Sequence, residues 1–468
     1  MSNTYRTLTA AAAAAIVVIS PGALAGELLR EISHPGFDPK STSVSVVDVG
    51  SGSEFASHLP EMKLNPASCA KIVTSAAALS ILGPGHRFKT HFYADRPPQG
   101  GTIGTLYVAG TGDPVLINEE LAQIASYIAR HGVKKITNGI VIDDSYFDSY
   151  EYPRKQTGEG RAYTAKTSAT AVNFNSVAVV VGPGARAGGP GDVKLDPPSE
   201  LYKVANKVVT GGKFRAAISL SEKGGLPLVT VTGRVPSRFT PQKLYRSVDN
   251  PALHAAAVIA YWLGEAGIEV GSSLGHGPVP QGAVGLVTWE SRPLSEIVAE
   301  MNKISNNFIA EQTLKHLGAE RFGAPGSTAK GVAAAAEYLA SIGIPAGSYE
   351  LENGSGLSEF TRVSARQLVT VLVAAYKNPR TRDAFVNSLS VLGVDGTTKK
   401  WRFAPELAGR IHVKTGTLNS VSTLAGYAPT AAGKVAAFAI LANGLPQGPW
   451  KAKEAQMEVV RAITEARP

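Results

Sequence analysis

Three short clusters in this 468-residue chain hold the residue types of nucleophilic catalysis. The first is Ser68-Cys69-Ala70-Lys71. A serine and a lysine three positions apart share one face of a helix. A lysine amine that is desolvated, or close to a second cation, can be neutral and act as a base. It can then take the hydroxyl proton that a serine nucleophile must lose. At a helix start, N–H groups and the dipole favour the negative charge that develops. The second cluster is Ser305-Asn306-Asn307. It offers Ser305 as a proton relay toward a leaving amine, and Asn307 as a hydrogen-bond partner for Lys71 and a substrate amide. The third is Lys414-Thr415-Gly416-Thr417. Lysine and threonine on a strand can hold a carboxylate together, and glycine lets a substrate backbone approach. Singly, each cluster has a plain structural explanation: a helix-start serine with a solvated lysine, a helix cap, a lysine at a turn. The three together, in this order, are far more specific.

The surrounding pattern supplies elements to position them. Residues 43–49 alternate like a strand, 50–53 (Gly-Ser-Gly-Ser) make a turn, and 54–58 a second strand. Pro66 precedes an apolar run to Leu82 that is free of Pro and Gly, which predicts a buried helix carrying Ser68 and Lys71. Strands are predicted at 104–109, 139–143, 216–221 and 228–233, and helices at 119–131, 250–266, 294–317, 329–342 and 364–376. The C-terminal part reads as strands at 411–414, 423–428 and 435–443, then a helix over 451–465. The third cluster ends the first of these strands. Five Gly and four Pro within 182–198 mark a break in composition. The order suggests one domain interrupted by an insert.

Composition narrows the partners. Hydrophobic residues are 44% and charged residues 18%, which suits a folded chain of two to four domains and excludes disorder as the main reading. One cysteine excludes a disulfide framework or a multi-cysteine zinc site. The histidines show no metal-ligand spacing, and no metal or cofactor is expected. Arg6, an apolar stretch from Leu8 to Ile19, Pro21-Gly22 and Ala23-Leu24-Ala25 have the layout of a cleaved signal peptide over residues 1–25. No later stretch is long and apolar enough to predict an integral membrane span. The net charge of +9 would lose only Arg6 with that peptide. An exported basic protein makes nucleic acid an improbable partner and an anionic envelope polymer a plausible one.

Ser-x-x-Lys, Ser-x-Asn and Lys-Thr-Gly together are the signature of penicillin-binding proteins and serine β-lactamases. Asn65 to Lys71, Gly110-Thr111-Gly112-Asp113-Pro114, Asn353-Gly354-Ser355-Gly356-Leu357-Ser358, Gly393-Val394-Asp395-Gly396-Thr397 and Lys414 to Leu418 extend the match. Over nearly all of the chain it resembles the low-molecular-mass class C penicillin-binding proteins. These are D-alanyl-D-alanine carboxypeptidase/endopeptidases of the penicillin-binding protein 4 type. The 234 positions between Lys71 and Ser305 suit that family's insertions better than a compact β-lactamase.

The resemblance implies an α+β fold, in which a serine transpeptidase/β-lactamase-like domain is interrupted by two nested inserted domains. The catalytic domain would be 26–93 with 291–468, domain II 94–181 with 241–290, and domain III 182–240. It implies catalytic Ser68, Lys71, Ser305, Asn307 and Lys414, with Thr415, Gly416 and Thr417 binding substrate. Peptidoglycan stem peptides and β-lactam antibiotics are the implied partners, in the periplasm. The inserted domains are expected to bind or orient the wall polymer. Asn353 and Glu359 stand where the family usually has Asp and Arg, a charge change that bears on the third stem-peptide residue. The rivals are a β-lactamase, a non-catalytic wall-binding protein, or an esterase or amidase on the same scaffold. The first needs a deacylating Glu-x-x-x-Asn between the first two clusters, and none is found.

Overall fold

The computed structural model describes Gly26 and residues 30–148, 160–224, 226–445 and 448–467. The expected signal peptide lies outside the described residues. The fold is mixed α+β, with four sheets among the described residues. The first sheet has strands Ser390–Val391, His412–Leu418, Val421–Pro429, Val435–Ala442, Thr42–Asp48 and Glu54–His58, in that spatial order and antiparallel throughout. Every residue of Thr42–Asp48 is buried, because both faces of the sheet are covered. Helix Lys71–Leu82 and its neighbours pack on one face, against Ala425, Tyr427, Ala437 and Leu441. Helix Pro449–Glu465 covers the other, placing Val459, Val460 and Ile463 against Val46, Phe438 and Ile440.

A second sheet joins Thr102–Gly110 and Lys135–Asp143 to Lys89–Ala94 and Val284–Glu290. Helices Asn118–Arg130 and Pro251–Glu265 pack on it. Between these strands the chain makes a further excursion. Ser176–Gly182 leaves, and Gln242–Ser247 returns beside it as an antiparallel neighbour. The excursion holds a sheet of Lys203–Thr210, Leu226–Val235 and Arg215–Lys223, whose inner valines share a core with Val177, Val179 and Val181. Among the described residues no helix is long and apolar enough to cross a membrane.

Three local expectations change. The helix predicted over 294–317 is two helices, Leu294–Lys303 and Asn307–Phe322, because Ser305 turns left-handed at φ 58°. The cluster at 414–417 lies within strand His412–Leu418 and does not end it. Ser68 sits in a 3₁₀ turn, Ala67–Ala70, that feeds the α-helix beginning at Lys71.

Candidate active site

Ser68 follows a constrained corner. Ala67 has φ 46°, a left-handed conformation that costs a non-glycine residue on the order of 1–3 kcal/mol. Asn65 holds the corner closed. Its Oδ1 accepts the Ala67 N–H at 2.8 Å, and its Nδ2 donates to the Ser358 carbonyl at 2.9 Å. Cys69 is buried, donating through Sγ to the Lys414 carbonyl at 3.2 Å and so pinning the turn to the strand beside it. Ser68 itself stays half-buried and reachable.

Lys71 is fully buried, with three polar neighbours around Nζ. Ser68 Oγ lies at 3.0 Å, Asn307 Oδ1 at 2.8 Å and the Ser355 carbonyl at 2.8 Å. Burial, with the Lys414 charge beside it, pushes the amine well below the usual lysine range, while Glu311 pulls it up. A neutral amine has two N–H groups and one lone pair. Asn307 and Ser355 offer only acceptors, so they take the two N–H groups. The lone pair then faces the Ser68 hydroxyl.

The Ser-Asn-Asn cluster divides its labour. Asn306 caps helix Asn307–Phe322, accepting the Ile309 N–H at 3.1 Å. This capping places Asn307 in the first turn, aimed at Lys71, while its Nδ2 donates to the Tyr163 carbonyl at 3.1 Å. The left-handed turn at Ser305 brings its Oγ within 2.8 Å of Lys414 Nζ. Lys303, just before the turn, is anchored by Asp395 at 2.5 Å and by the Leu389 carbonyl at 3.1 Å.

Lys414 is fully buried, and burial lowers its pKa to about 8. Thr415 Oγ1 lies 2.8 Å from Thr397 Oγ1, which fixes that hydroxyl at the cleft. Strand His412–Leu418 passes very near the nucleophile. A Cβ on Gly416 would lie 2.7 Å from the Pro66 carbonyl oxygen and 3.0 Å from the Ser68 nitrogen, so only glycine fits. Thr417, next along, is exposed.

All eight residues singled out in the sequence therefore fall in or beside one cleft. Four neighbours were missed. Glu311 is buried one turn beyond Asn307, and its carboxylate accepts the N–H groups of Gly354 and Ser355 at 3.0 and 2.9 Å. Burial raises its pKa, and the bonds from Ser355 and Gly354 pull it back. The i, i+4 spacing from Asn307 was its only signal. Ser355, Thr397 and Tyr163 come from distant loops, two of them through main-chain carbonyls. Asn353 makes a turn, accepting the Gly356 N–H at 3.0 Å, and Glu359 is exposed.

Comparison with known proteins places the chain in a family. The family model described as D-Ala-D-Ala carboxypeptidase 3 (S13) matches residues 24–465. A D-alanyl-D-alanine carboxypeptidase of Actinomadura sp. (strain R39) is 34% identical over 445 residues, covering 90% of this chain and 82% of the relative. The D-alanyl-D-alanine carboxypeptidase DacB of Haemophilus influenzae is 27% identical over 446 residues, covering 92% and 90%. The crystal structure of penicillin binding protein 4 (dacB) from Haemophilus influenzae superposes with a TM-score of 0.77 at 24% identity, covering 93% of this chain and 97% of that one. A second structure of that protein, complexed with a β-lactam, gives a TM-score of 0.72 at the same identity and coverage. The chain belongs to the D-Ala-D-Ala carboxypeptidase 3 (S13) family.

Proposed function

We propose that this serine-type D-Ala-D-Ala carboxypeptidase works through an acyl-enzyme on Ser68, and that its substrates are the stem peptides of peptidoglycan. Lys414 and Thr415 hold the terminal carboxylate. Lys71 takes the Ser68 proton as Oγ attacks the penultimate D-alanine carbonyl. The developing oxyanion meets the N–H groups of Ser68 and Thr417, each such donor being typically worth about 3–4 kcal/mol. The proton that Lys71 took is relayed through the Ser305 hydroxyl to the departing D-alanine nitrogen, which leaves Lys71 neutral again, a step of roughly 10²- to 10⁴-fold. Water then cleaves the ester and regenerates Ser68. β-Lactams acylate the same serine, a reading supported by the relative crystallised with one.

The observation that carries this reading is the set of neighbours around Lys71 Nζ, which leaves a neutral amine with its lone pair on Ser68. Ser68→Ala is expected to abolish both D-alanine release and labelling by a fluorescent penicillin, and retention of either sinks the assignment. Lys71→Ala is expected to slow acylation by roughly 10²- to 10⁴-fold. Mass spectrometry of a digested muropeptide mixture separates loss of one terminal alanine from cleavage of cross-linked dimers. We also place the protein in the periplasm, on the strength of the export-like segment before residue 26. The three-domain division given above is part of the same proposal. It is supported by the way Gln242–Ser247 returns beside Ser176–Gly182 and Val284–Glu290 beside Lys89–Ala94. N-terminal sequencing of the mature protein and limited proteolysis test these two points.

A further inference from the structure

Residues 182–240 hold nine Lys and Arg against four Asp and Glu, so this short excursion carries five of the chain's nine net positive charges. The charge is not spread evenly. On the sheet of Lys203–Thr210, Leu226–Val235 and Arg215–Lys223, register fixes which side chains share a face. One face holds Val208, Val229, Val231, Val235 and Ile218, all buried in the local core. The opposite face therefore carries Lys203 and Lys207 on the first strand, Thr230, Thr232 and Arg234 on the middle one, and Arg215, Ser219 and Ser221 on the third. Lys223, opposite Leu226 in the same register, lies on it too; the five cations of this face are exposed, and no Asp or Glu occupies a position on it.

Arg215 and Arg234 sit directly opposite each other in the antiparallel pair. Like charges in that relation destabilise a sheet. Lys207 stands two places back from the Val209 that neighbours Arg234, so it adds to the repulsion. A sheet that exposes this arrangement gains from an anion laid across it. The face spans roughly 20 by 10 Å from strand rise and spacing, enough for several spaced anionic groups. It bears hydroxyls and small aliphatic side chains, with no aromatic ring to enter a bilayer.

We propose that this face docks the carboxylate-bearing peptidoglycan polymer and holds the wall while the Ser68 cleft works on one stem. The choice of polymer rests on the function proposed above. The test is co-sedimentation of the full-length protein with purified peptidoglycan sacculi. It is read beside D-alanine release from a soluble D-alanyl-D-alanine peptide and binding to phosphatidylglycerol vesicles. The combined change Lys207→Ser, Arg215→Ser and Arg234→Ser is expected to weaken sacculus binding about tenfold and to flatten its salt dependence. Release from the soluble peptide should stay within about twofold, which also shows that the variant is folded. Sacculi with amidated carboxyls should bind the wild-type protein no better than the variant binds native sacculi. Unchanged binding by the variant, equal binding to amidated sacculi, or a preference for the vesicles overturns the proposal. Failure of the wild-type protein to release D-alanine from the soluble peptide would instead refute the catalytic reading, and the sedimentation result would still be read.

Discussion

Glu311 gives the sharpest test of how Lys71 is kept ready. Its two carboxylate oxygens each accept a buried main-chain N–H, from Gly354 at 3.0 Å and Ser355 at 2.9 Å. The carbonyl of the same Ser355 accepts from Lys71 Nζ at 2.8 Å. Glu311→Gln keeps one acceptor oxygen and turns the other end into a donor facing a donor. One buried N–H is then unpaired, costing about 1–3 kcal/mol, and the other loses about 1 kcal/mol of charge assistance. The variant should remain folded but be about 2–4 kcal/mol less stable, within the usual total of roughly 5–15 kcal/mol. The charge change has a separate signature. Lys71 faces Lys414, Glu311 and Cys69, and of these Lys414 lowers its pKa while Glu311 raises it. Without Glu311 the amine loses its proton at lower pH and becomes a weaker base. Acylation of Ser68 by a fluorescent penicillin, followed by stopped flow from roughly pH 5 to 9, should therefore show two changes. The plateau should fall about 10- to 100-fold, part of what a positioned general base contributes. The acid limb should move to lower pH. Glu311→Asp, which keeps the charge, should leave that limb in place even if it unfolds earlier. A Glu311→Gln protein that is merely less stable, with rate and acid limb unmoved, would refute the reasoning.

The other predictions concern the carboxylate pocket and the loop behind Lys71. Lys414 attracts a carboxylate only when protonated, and burial has lowered its pKa to about 8. On peptide substrates kcat/KM should thus fall above about pH 8, by about tenfold per unit. Lys414→Arg should remove that descending limb; its persistence would assign the limb to another group. Thr397→Val deletes the 2.8 Å contact to the Thr415 hydroxyl, so KM should rise several-fold with kcat nearly constant. A fall in kcat alone would contradict a role in carboxylate binding. Gly356 has φ 75°, and a Cβ there would meet the Ala67 carbonyl oxygen at 1.9 Å. Gly356→Ala should displace the Ser68 corner and abolish penicillin labelling, and normal labelling would show that the corner tolerates movement.

Much of the site was legible because its residues are local. Ser68 and Lys71 are held by one turn of chain, and Lys414 to Thr417 by one strand, so spacing alone related them. Ser305 was legible as a residue type but not as a conformation. The run from Leu294 to Leu317 contains no proline and breaks only where Ser305 turns left-handed to reach Lys414. Ser355 and Tyr163 act through carbonyl oxygens, which every residue owns, so nothing in the sequence marks Tyr163, and the matched stretch 353–358 names Ser355 without assigning it a role. The strands Lys203–Thr210 and Gln242–Ser247 went unseen for another reason. Most of their positions are polar or exposed, and apolar alternation is weak where one face meets water.

The first sheet pairs Thr42 with Ala442, and Ser41 Oγ bonds the Asn443 carbonyl 402 residues along the chain. Such closure is entropically slow, since nearly the whole polypeptide must exist before the two strands can meet. The inserted sheets close on much shorter spans and are free to fold first. The strand bearing Lys414 pairs with Ser390–Val391 and Val421–Pro429, and only the last strand, Val435–Ala442, joins that group to Thr42–Asp48, so the cleft is expected to assemble once the last strand is made. A chain stopped before Val435 should hold protease-resistant inserts and yet take up no fluorescent penicillin. Labelling of such a fragment would show that the cleft assembles without the seam between the two ends of the chain.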